Sequence, residues 1–314
     1  MADKDAASLS DDTRAPAGDL AAIGAMLLST VFYTCSDAAM KFVSGVLPTG
    51  EAVFLRSLGT VLLLAIAAQV TGVLREIRET FSRLMIVRGV ADAGNSLMFQ
   101  AALARMPLAD TMGILQLSPL CLTAASAVVL GAHVGWRRWT AVGAGLIGAL
   151  LVIKPGTSAF NAFAILAILS VLCGAVRDVS TRRFAPGLSP LLILLVSQAM
   201  VGLCALGGLT FERWVWPAPL AMLQIAAGAT LIGLGHLFAL LAVRHSDLAV
   251  VAPFRYAGIV WAILLGFAFW GEWPDAWSQL GIAILISAGL FTFYRERVAA
   301  RGRAAASAAT DQTA

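Results

Sequence analysis

Long apolar stretches alternate with short polar turns along most of the chain. Most of them have the roughly 17 to 25 residues that a helix needs to cross the hydrocarbon core of a bilayer, and the fifth is shorter. The pattern predicts an all-α polytopic membrane protein with about ten transmembrane helices. The predicted spans run from Leu20 to Val43, Gly50 to Val70, Leu84 to Ala104, Leu108 to Leu130, Thr140 to Ile153, Asn161 to Val179, Leu188 to Leu209, Pro219 to Ala242, Leu248 to Trp270 and Trp277 to Phe293.

Composition supports the same fold class. Hydrophobic residues make up 59% of the 314 residues and charged residues 13%, against roughly 50% and 25% in soluble domains. Turns as short as Arg105-Met106-Pro107 separate neighbouring spans, so we expect tight helical hairpins within one membrane domain. Residues 1–19 are rich in charge and lack the apolar core of a secretory signal. We predict disordered cytoplasmic tails at 1–19 and 298–314.

Basic residues are distributed unevenly between the loops. If the N-terminus is cytoplasmic, most loop arginines and lysines lie on the cytoplasmic side, and Arg105, Lys154 and Arg213 are on the other. Positive charge concentrates on the cytoplasmic side of membrane proteins. The sequence therefore predicts a multi-pass protein of the bacterial inner membrane with both termini inside the cell.

Several other chemistries are not favoured. The four cysteines lie in apolar segments without the spacing of metal ligands or of a disulfide framework. No cofactor, metal or catalytic residue is predicted, and the scattered basic residues do not indicate a nucleic-acid partner. The sequence Gly143-x-Gly145-x-x-Gly148 lies in an apolar span, where it favours close helix packing over phosphate binding.

The chain also contains a weak internal repeat. The segment from Pro107 to Gly131 aligns without gaps on Asp247 to Gly271, an offset of 140. Asp37-x-x-x-Lys41 aligns with Asp178-x-x-x-Arg182, an offset of 141, and a proline follows each. An odd number of spans in each half inverts the second half relative to the first. We predict two inverted five-helix repeats, at 20–155 and 156–297.

Short motifs in both halves resemble one transporter family. They are Arg88-Gly89-Val90, Pro107-Leu108-Ala109-Asp110, Ser118-Pro119-Leu120, Val152-Ile153-Lys154-Pro155, Pro253-Phe254-Arg255-Tyr256 and Gly271-Glu272. With them the chain resembles the EamA-type branch of the drug/metabolite transporter superfamily, although Ala132 stands where that family often has Glu. The resemblance implies ten helices, inward termini and a central cavity. The Asp37 and Lys41 pattern with Arg255-Tyr256 resembles members that carry riboflavin, S-adenosylmethionine or amino-acid-derived metallophores.

Charged residues inside the spans are the candidates for function, because each costs about 2.5 to 3.5 kcal/mol at membrane depth. Asp37 and Lys41, and likewise Arg88 and Asp92, are four residues apart and could neutralise each other within one helix. Alternatively, the guanidinium groups face a cavity and bind a carboxylate, phosphate or imide of a solute. The predicted substrate-binding residues are Arg255, Arg88, Asp92, Arg56, Asn95, Gln116 and Tyr256, and the predicted gating or ion-pair residues are Asp37, Lys41, Asp178 and Arg182.

The sequence allows two roles for each of two further residues, Tyr256 and His236. Tyr256 points about 100° away from Arg255 around a helix, so it is either a substrate contact or a packing residue. His236 inside a span is either a proton carrier or a hydrogen-bonded packing group.

The prediction from these features is a secondary transporter that moves a small organic metabolite by alternating access, and not an enzyme. Its partners are the small-molecule substrate and the lipid bilayer, and a homodimer is left open. The alternatives are an exporter of the same fold, an intramembrane enzyme and a passive channel.

Overall fold

The computed structural model describes residues 16–130, 136–155, 157, 160–184, 187–245 and 248–311, and this part of the chain is helical without strands. The helices are α1 (Pro16–Val43), α2 (Thr49–Val70), α3 (Ile77–Thr80), α4 (Arg83–Leu103), α5 (Leu108–Leu115), α6 (Ser118–Leu130), α7 (Trp136–Ile153), α8 (Phe163–Arg182), α9 (Pro190–Leu206), α10 (Pro219–His245), α11 (Leu248–Val251), α12 (Ala257–Trp270) and α13 (Ala276–Asp311). Short 3-10 turns occupy Val73–Glu76, Gly207–Thr210 and Ala252–Tyr256.

Local sequence determines where several helices begin and end. Pro48 and Pro107 precede α2 and α5, where the missing N–H of proline removes no helical hydrogen bond. The Ser82 hydroxyl accepts a hydrogen bond from the Met85 amide and caps α4. Gly271 ends α12 in the left-handed region at φ 65°, which glycine adopts without a steric penalty.

Seven stretches of the described residues are long and apolar enough to cross a membrane, and α7 and α9 contain shorter apolar helices. Large apolar side chains cover the outside: on α2, Leu62 is 58% and Ile66 is 62% exposed, while Thr60 on the opposite face is buried. Lipid tails solvate such a surface, whereas water does not. The chain is therefore a polytopic membrane protein.

Helix packing uses small residues where backbones approach closely. A Cβ on Gly281 of α13 would lie 2.5 Å from the Gly148 carbonyl oxygen of α7, and a Cβ on Gly145 would collide with Leu120 of α6. Gly145 and Gly148 thus allow close helix packing, as predicted, whereas a Cβ on Gly143 would have no neighbour within 4 Å.

Two predicted spans are interrupted helices. The stretch 108–130 breaks at Gln116 and Leu117 between α5 and α6, and the stretch 248–270 passes through the 3-10 turn Ala252–Tyr256 between α11 and α12. Pro119 and Pro253 stand next to these breaks. Proline lacks an amide hydrogen and clashes with the preceding turn, so each helix is interrupted beside it. Each stretch still contains a candidate membrane span, Leu108–Ala125 in the first and Pro253–Trp270 in the second.

The chain ends also differ from the prediction. The last helix, α13, continues to Asp311, so residues 298–311 are helical where a disordered tail was predicted. This segment is rich in alanine and arginine, which have high helix propensity. At the other end, α1 begins at Pro16, and residues 1–15 lie outside the described part of the chain.

Candidate functional site

A group of ionisable and aromatic side chains from five helices meets inside the membrane domain. We call it the central polar cluster, and it consists of Tyr33 and Asp37 (α1), Arg56 (α2), Asp92 (α4), Arg177 and Asp178 (α8), and His236 (α10). The charges of Asp37, Asp92 and Arg177 all act on Tyr33, and those of Asp92, Arg177 and Arg56 act on His236. The cluster therefore joins helices that are far apart in the sequence.

Arg177 bridges two carboxylates. Its Nη1 donates to Asp92 Oδ1 at 3.0 Å, and its Nε donates to Asp178 Oδ1 at 2.9 Å. The Asp92 side chain is 8% exposed and that of Arg177 28%. A buried carboxylate is stable when a charge-assisted hydrogen bond compensates its lost hydration. Asp92 is therefore firmly held by α8.

Asp37 and Arg56 form a looser pair. Asp37 Oδ1 lies 3.8 Å from Arg56 Nη1, beyond hydrogen-bond distance, although the two side chains are only 13% and 6% exposed. Coulomb attraction acts at this distance, but the directional hydrogen bond is missing. The guanidinium of Arg56 is thus the less saturated of the two ion-paired arginines in the cluster.

His236 stands beside Tyr33. The two rings meet edge to face with centroids 5.3 Å apart. His236 Nδ1 lies 2.7 Å from the Ile232 carbonyl oxygen, so this nitrogen carries the hydrogen and donates it. In the neutral ring, Nε2 is the acceptor.

Arg88 is fixed by hydroxyl groups rather than by an acid. Its Nε donates to Thr181 Oγ1 at 2.9 Å, and its Nη1 is hydrogen-bonded to Ser197 Oγ. Arg88 is buried, and its charge lies in the field of Asp92 and Asp178. Its contacts link α4 to α8 and α9.

Three of the remaining predicted contacts, Gln116, Arg255 and Tyr256, lie at the helix breaks, and Asn95 lies within α4. Gln116 ends α5, and Arg255 is exposed in the 3-10 turn that precedes α12. The Asn95 amide lies 3.4 Å from where a Cβ on Gly174 would stand. The Tyr256 side chain packs against α13. Its hydroxyl occupies the space that a side chain on Gly289 would take, and its ring contacts Phe293.

A second set of polar contacts connects the ends of several helices, and we call the surface that they form the Lys41 face. Lys41 Nζ lies 2.5 and 2.7 Å from the two carboxylate oxygens of Glu272, and it donates to the Met106 carbonyl at 2.9 Å. Glu272 also accepts a hydrogen bond from the Leu108 amide at 2.9 Å. The Trp270 ring lies beneath the ammonium at 5.0 Å. One carboxylate thus joins α1, the start of α5 and the end of α12.

Other contacts on this face also connect distant segments. The Gly50 amide donates to Glu212 at 2.8 Å, the Val215 amide donates to Glu51 at 2.9 Å, and Lys154 Nζ lies 2.5 Å from Asp275. The hydrogen bond from Lys154 holds the pKa of the Asp275 carboxyl below its usual range, with a further contribution from the Ser278 amide. These contacts place the ends of α1, α7, α9 and α12 on one face.

Sequence comparison identifies the family. Residues 18–154 match the EamA-like transporter family. Over 280 residues, covering 86% of this chain and 95% of the relative, the sequence is 30% identical to the pseudopaline exporter CntI of Pseudomonas aeruginosa. The chain belongs to the EamA-like transporter family. The resemblance predicted from short motifs is confirmed.

Other relatives of this EamA-like transporter are named for different solutes. An S-adenosylmethionine uptake transporter of Rickettsia felis is 25% identical over 89% of this chain and 95% of its own length. A riboflavin transporter of Rhizobium johnstonii is 27% identical over 62% of this chain and 65% of its own. A solved crystal structure superposes with a TM-score of 0.62 at 20% identity, covering 87% of this chain and 98% of the other, which shows a shared fold.

The ion pairs of the EamA-like transporter differ from the within-helix pairs considered from the sequence. Lys41 binds Glu272 rather than Asp37, and Asp92 binds Arg177 rather than Arg88. Side chains four residues apart can pair on one helix, but helix packing here brings Glu272 to 2.5 Å from Lys41 and Arg177 to 3.0 Å from Asp92. The side chain of Arg182, at the end of α8, and Ala132 lie outside what the structure describes.

Sequence reasoning missed several contributors to these sites. Arg177 is not among the predicted site residues, although its neighbour Asp178 is. Tyr33 stands four residues before Asp37, a spacing that would have placed it on the same helix face. Glu272 was noticed as part of a family motif, but the motif gave no indication that its partner is Lys41.

Proposed function

We propose that this chain is a secondary transporter of a small organic metabolite in the bacterial inner membrane, working by alternating access. The observation that carries the proposal is the central polar cluster, which gathers paired and loosely paired ions inside a lipid-facing bundle. Ionisable groups at membrane depth are typical of substrate and ion pathways, because burying a charge in the bilayer costs free energy and is rare without a function. The relatives that match most of the chain are named as transporters of small molecules.

The proposed architecture has ten crossings in two inverted repeats, 20–155 and 156–297, with both termini cytoplasmic. Helix packing supports this pseudo-symmetry: α1 packs on α10 as α8 packs on α4, and α2 packs on α10 as α9 packs on α4. The two helix breaks, at Gln116 and at Ala252–Tyr256, correspond through the same offset of about 140 residues seen in the sequence repeat. Interrupted helices at matching positions are typical of transporter binding sites.

Arg56 and Arg255 are the proposed anchors for an anionic group of the substrate. Arg56 is held only loosely by Asp37, and Arg255 is exposed beside a helix break without an ion pair among the described residues. Asp92, Asn95 and Gln116 would contact polar groups of the same solute. Arg88 and Tyr256 are retained as candidates, although their observed contacts support packing roles.

The proposed substrate carries both charged and hydrogen-bonding groups. The cluster contains both guanidinium and carboxylate side chains. Such a site favours binding of a zwitterion derived from an amino acid over binding of an apolar compound. S-adenosylmethionine and amino-acid-derived metallophores have this chemistry, and riboflavin offers an imide. The direction of transport, uptake or export, follows from the solute and ion gradients.

The Lys41 face is the proposed closed gate of this conformation. Four separate polar links cross between the two proposed repeats there: Lys41 to Glu272, Gly50 to Glu212, Val215 to Glu51 and Lys154 to Asp275. Asp37, Asp178 and Arg182 keep their predicted gating roles within the proposal. For the solute to leave through this face, the links must break.

Counterflow in proteoliposomes tests the function. After a thermal-shift screen with S-adenosylmethionine, riboflavin and amino-acid derivatives, vesicles loaded with unlabelled compound should accumulate labelled compound. Arg255→Ala should abolish this flux while the melting temperature is retained, because the side chain is exposed. Arg213→Ala, an exposed arginine in a loop, is the matched control. Flux that neither saturates nor shows counterflow would indicate a channel, and chemical conversion of the solute would indicate an enzyme.

A further inference from the structure

Two buried carboxylates of the central polar cluster are bound very differently. Asp92 accepts a 3.0 Å hydrogen bond from Arg177. Asp37 is comparably buried, but its nearest cation, Arg56, stands 3.8 Å away, and no hydrogen bond reaches its carboxylate from the described residues. A buried carboxylate without hydrogen bonds is poorly compensated. Among the acids of this cluster, Asp37 is therefore the one whose ionised form is least stabilised by its surroundings.

We propose that Asp37 is the coupling site for a proton, which it takes up when an anionic group of the substrate replaces it at Arg56. Proton and substrate anion are then bound together and cross together. The proposal rests on the transport function proposed above. The proton comes from the water on whichever side is open, and an O–H bond forms on the carboxylate without any other covalent change.

The linkage follows from the position of Arg56, the one guanidinium within ion-pair distance of Asp37 among the described side chains. When a substrate carboxylate moves onto Arg56, an ionised Asp37 is left in a buried site without a cation, which is unfavourable. Protonation removes this charge. Substrate binding and proton binding therefore favour each other, and thermodynamic reciprocity makes each increase the affinity for the other.

The surrounding groups leave Asp37 as the exchanging acid. Tyr33 and Cys35 precede it on α1, and the charge of Asp37 acts on both. Arg177 of α8 is occupied by Asp92 and Asp178. His236 of α10 contacts Tyr33, and its Nδ1 is held by the Ile232 carbonyl. Arg255 acts on Tyr33 from the helix break, and α12 carries no charged residue.

The first test needs no substrate. Infrared difference spectra of the protein in lipid nanodiscs, recorded on acidification, should contain a protonated carboxyl band. Asp37→Asn should remove this band. Asp178→Asn, the corresponding carboxylate of the second proposed repeat, should retain it, because Asp37 is intact. A band that persists unchanged in Asp37→Asn, or an Asp37 that stays ionised throughout the range in which the protein remains folded, would overturn the proposal.

The second test uses S-adenosylmethionine as the probe and measures the sign of the linkage. Its binding to the wild-type protein should tighten on acidification, by at most about tenfold per pH unit for one proton, and binding should take protons from a weakly buffered solution. In Asp37→Asn, binding should lose its pH dependence and the proton uptake. Proton release on binding would mean that substrate and proton compete, which contradicts the proposal.

Failure of the transport function can be told apart from failure of this inference. If no variant binds S-adenosylmethionine, the substrate assignment fails, and the carboxyl band alone decides the role of Asp37. If the wild-type protein shows no counterflow with any compound but Asp37 still titrates, the transport function fails while the protonation site stands.

Discussion

Lys41 and Glu272 are separated by 231 residues in the sequence, yet the ammonium lies within 2.7 Å of both carboxylate oxygens. The same carboxylate accepts a hydrogen bond from the Leu108 amide at the start of α5, and the Trp270 ring packs beneath the ammonium. The pair is partly buried, with the Lys41 side chain 9% and the Glu272 side chain 23% exposed. Such a pair connects three segments through one anion.

Glu272→Gln should weaken this connection and make the Lys41 face more accessible. The neutral amide keeps its size but leaves the ammonium without an anion, and breaking a buried pair costs up to about 3–5 kcal/mol, less here because Glu272 is partly exposed. The expected result is a lower melting temperature and faster labelling of a cysteine placed at Ser44. The reversed pair, Lys41→Glu with Glu272→Lys, should recover part of both losses. Unchanged labelling in Glu272→Gln would show that the pair does not close this face.

The family and the membrane fold could be predicted from the sequence because apolar length and motif spacing are local properties. The partners of Lys41 and Asp92 could not. Their partners, Glu272 and Arg177, lie on helices whose adjacency is decided by packing, so a pattern within one helix suggested Asp37 and Arg88 instead. The breaks beside Pro119 and Pro253 were also missed, because an apolar run of 23 residues, as from 108 to 130, satisfies the length rule whether or not the helix is continuous.

Arg177 should be among the residues most important for stability in the central polar cluster. Arg177→Gln leaves both Asp92 and Asp178 without this cation. Breaking a buried ion pair lowers the free energy of unfolding by about 3–5 kcal/mol, and the partial exposure of Arg177 should reduce the loss. Asp178→Asn should cost less, because its side chain is 35% exposed. The melting temperature in detergent measures both.

A double variant separates the charge effect from packing. Combining Arg177→Gln with Asp92→Asn removes the orphaned buried carboxylate and should recover part of the lost melting temperature. If the two effects simply add, Arg177 stabilises the fold by packing rather than by compensating Asp92.

Tyr256→Phe should leave transport unchanged and raise the melting temperature slightly. Its hydroxyl is buried against Gly289 and has no hydrogen-bond partner among the described residues, so its removal relieves about 1 kcal/mol of unpaired polar burial. Gly289→Ala should lower the melting temperature, because the added methyl group meets the same hydroxyl, and Tyr256→Phe in that background should restore part of it. Loss of flux in a folded Tyr256→Phe variant would instead establish Tyr256 as a substrate contact.

The ion pair between Lys154 and Asp275 predicts a small, pH-dependent contribution to stability. The hydrogen bond from Lys154 lowers the pKa of Asp275, so its contribution is present above the unfolded value, about 3.9, and is lost as pH falls through the lower folded value. Asp275→Asn keeps an acceptor for the Ser278 amide but loses the charge. Because the Asp275 side chain is 52% exposed, the difference should be below about 1 kcal/mol. Melting temperatures of the two proteins should therefore differ slightly at pH 7 and converge once the pH has fallen through the lowered pKa of folded Asp275. A difference that persists in acid would assign the effect to packing.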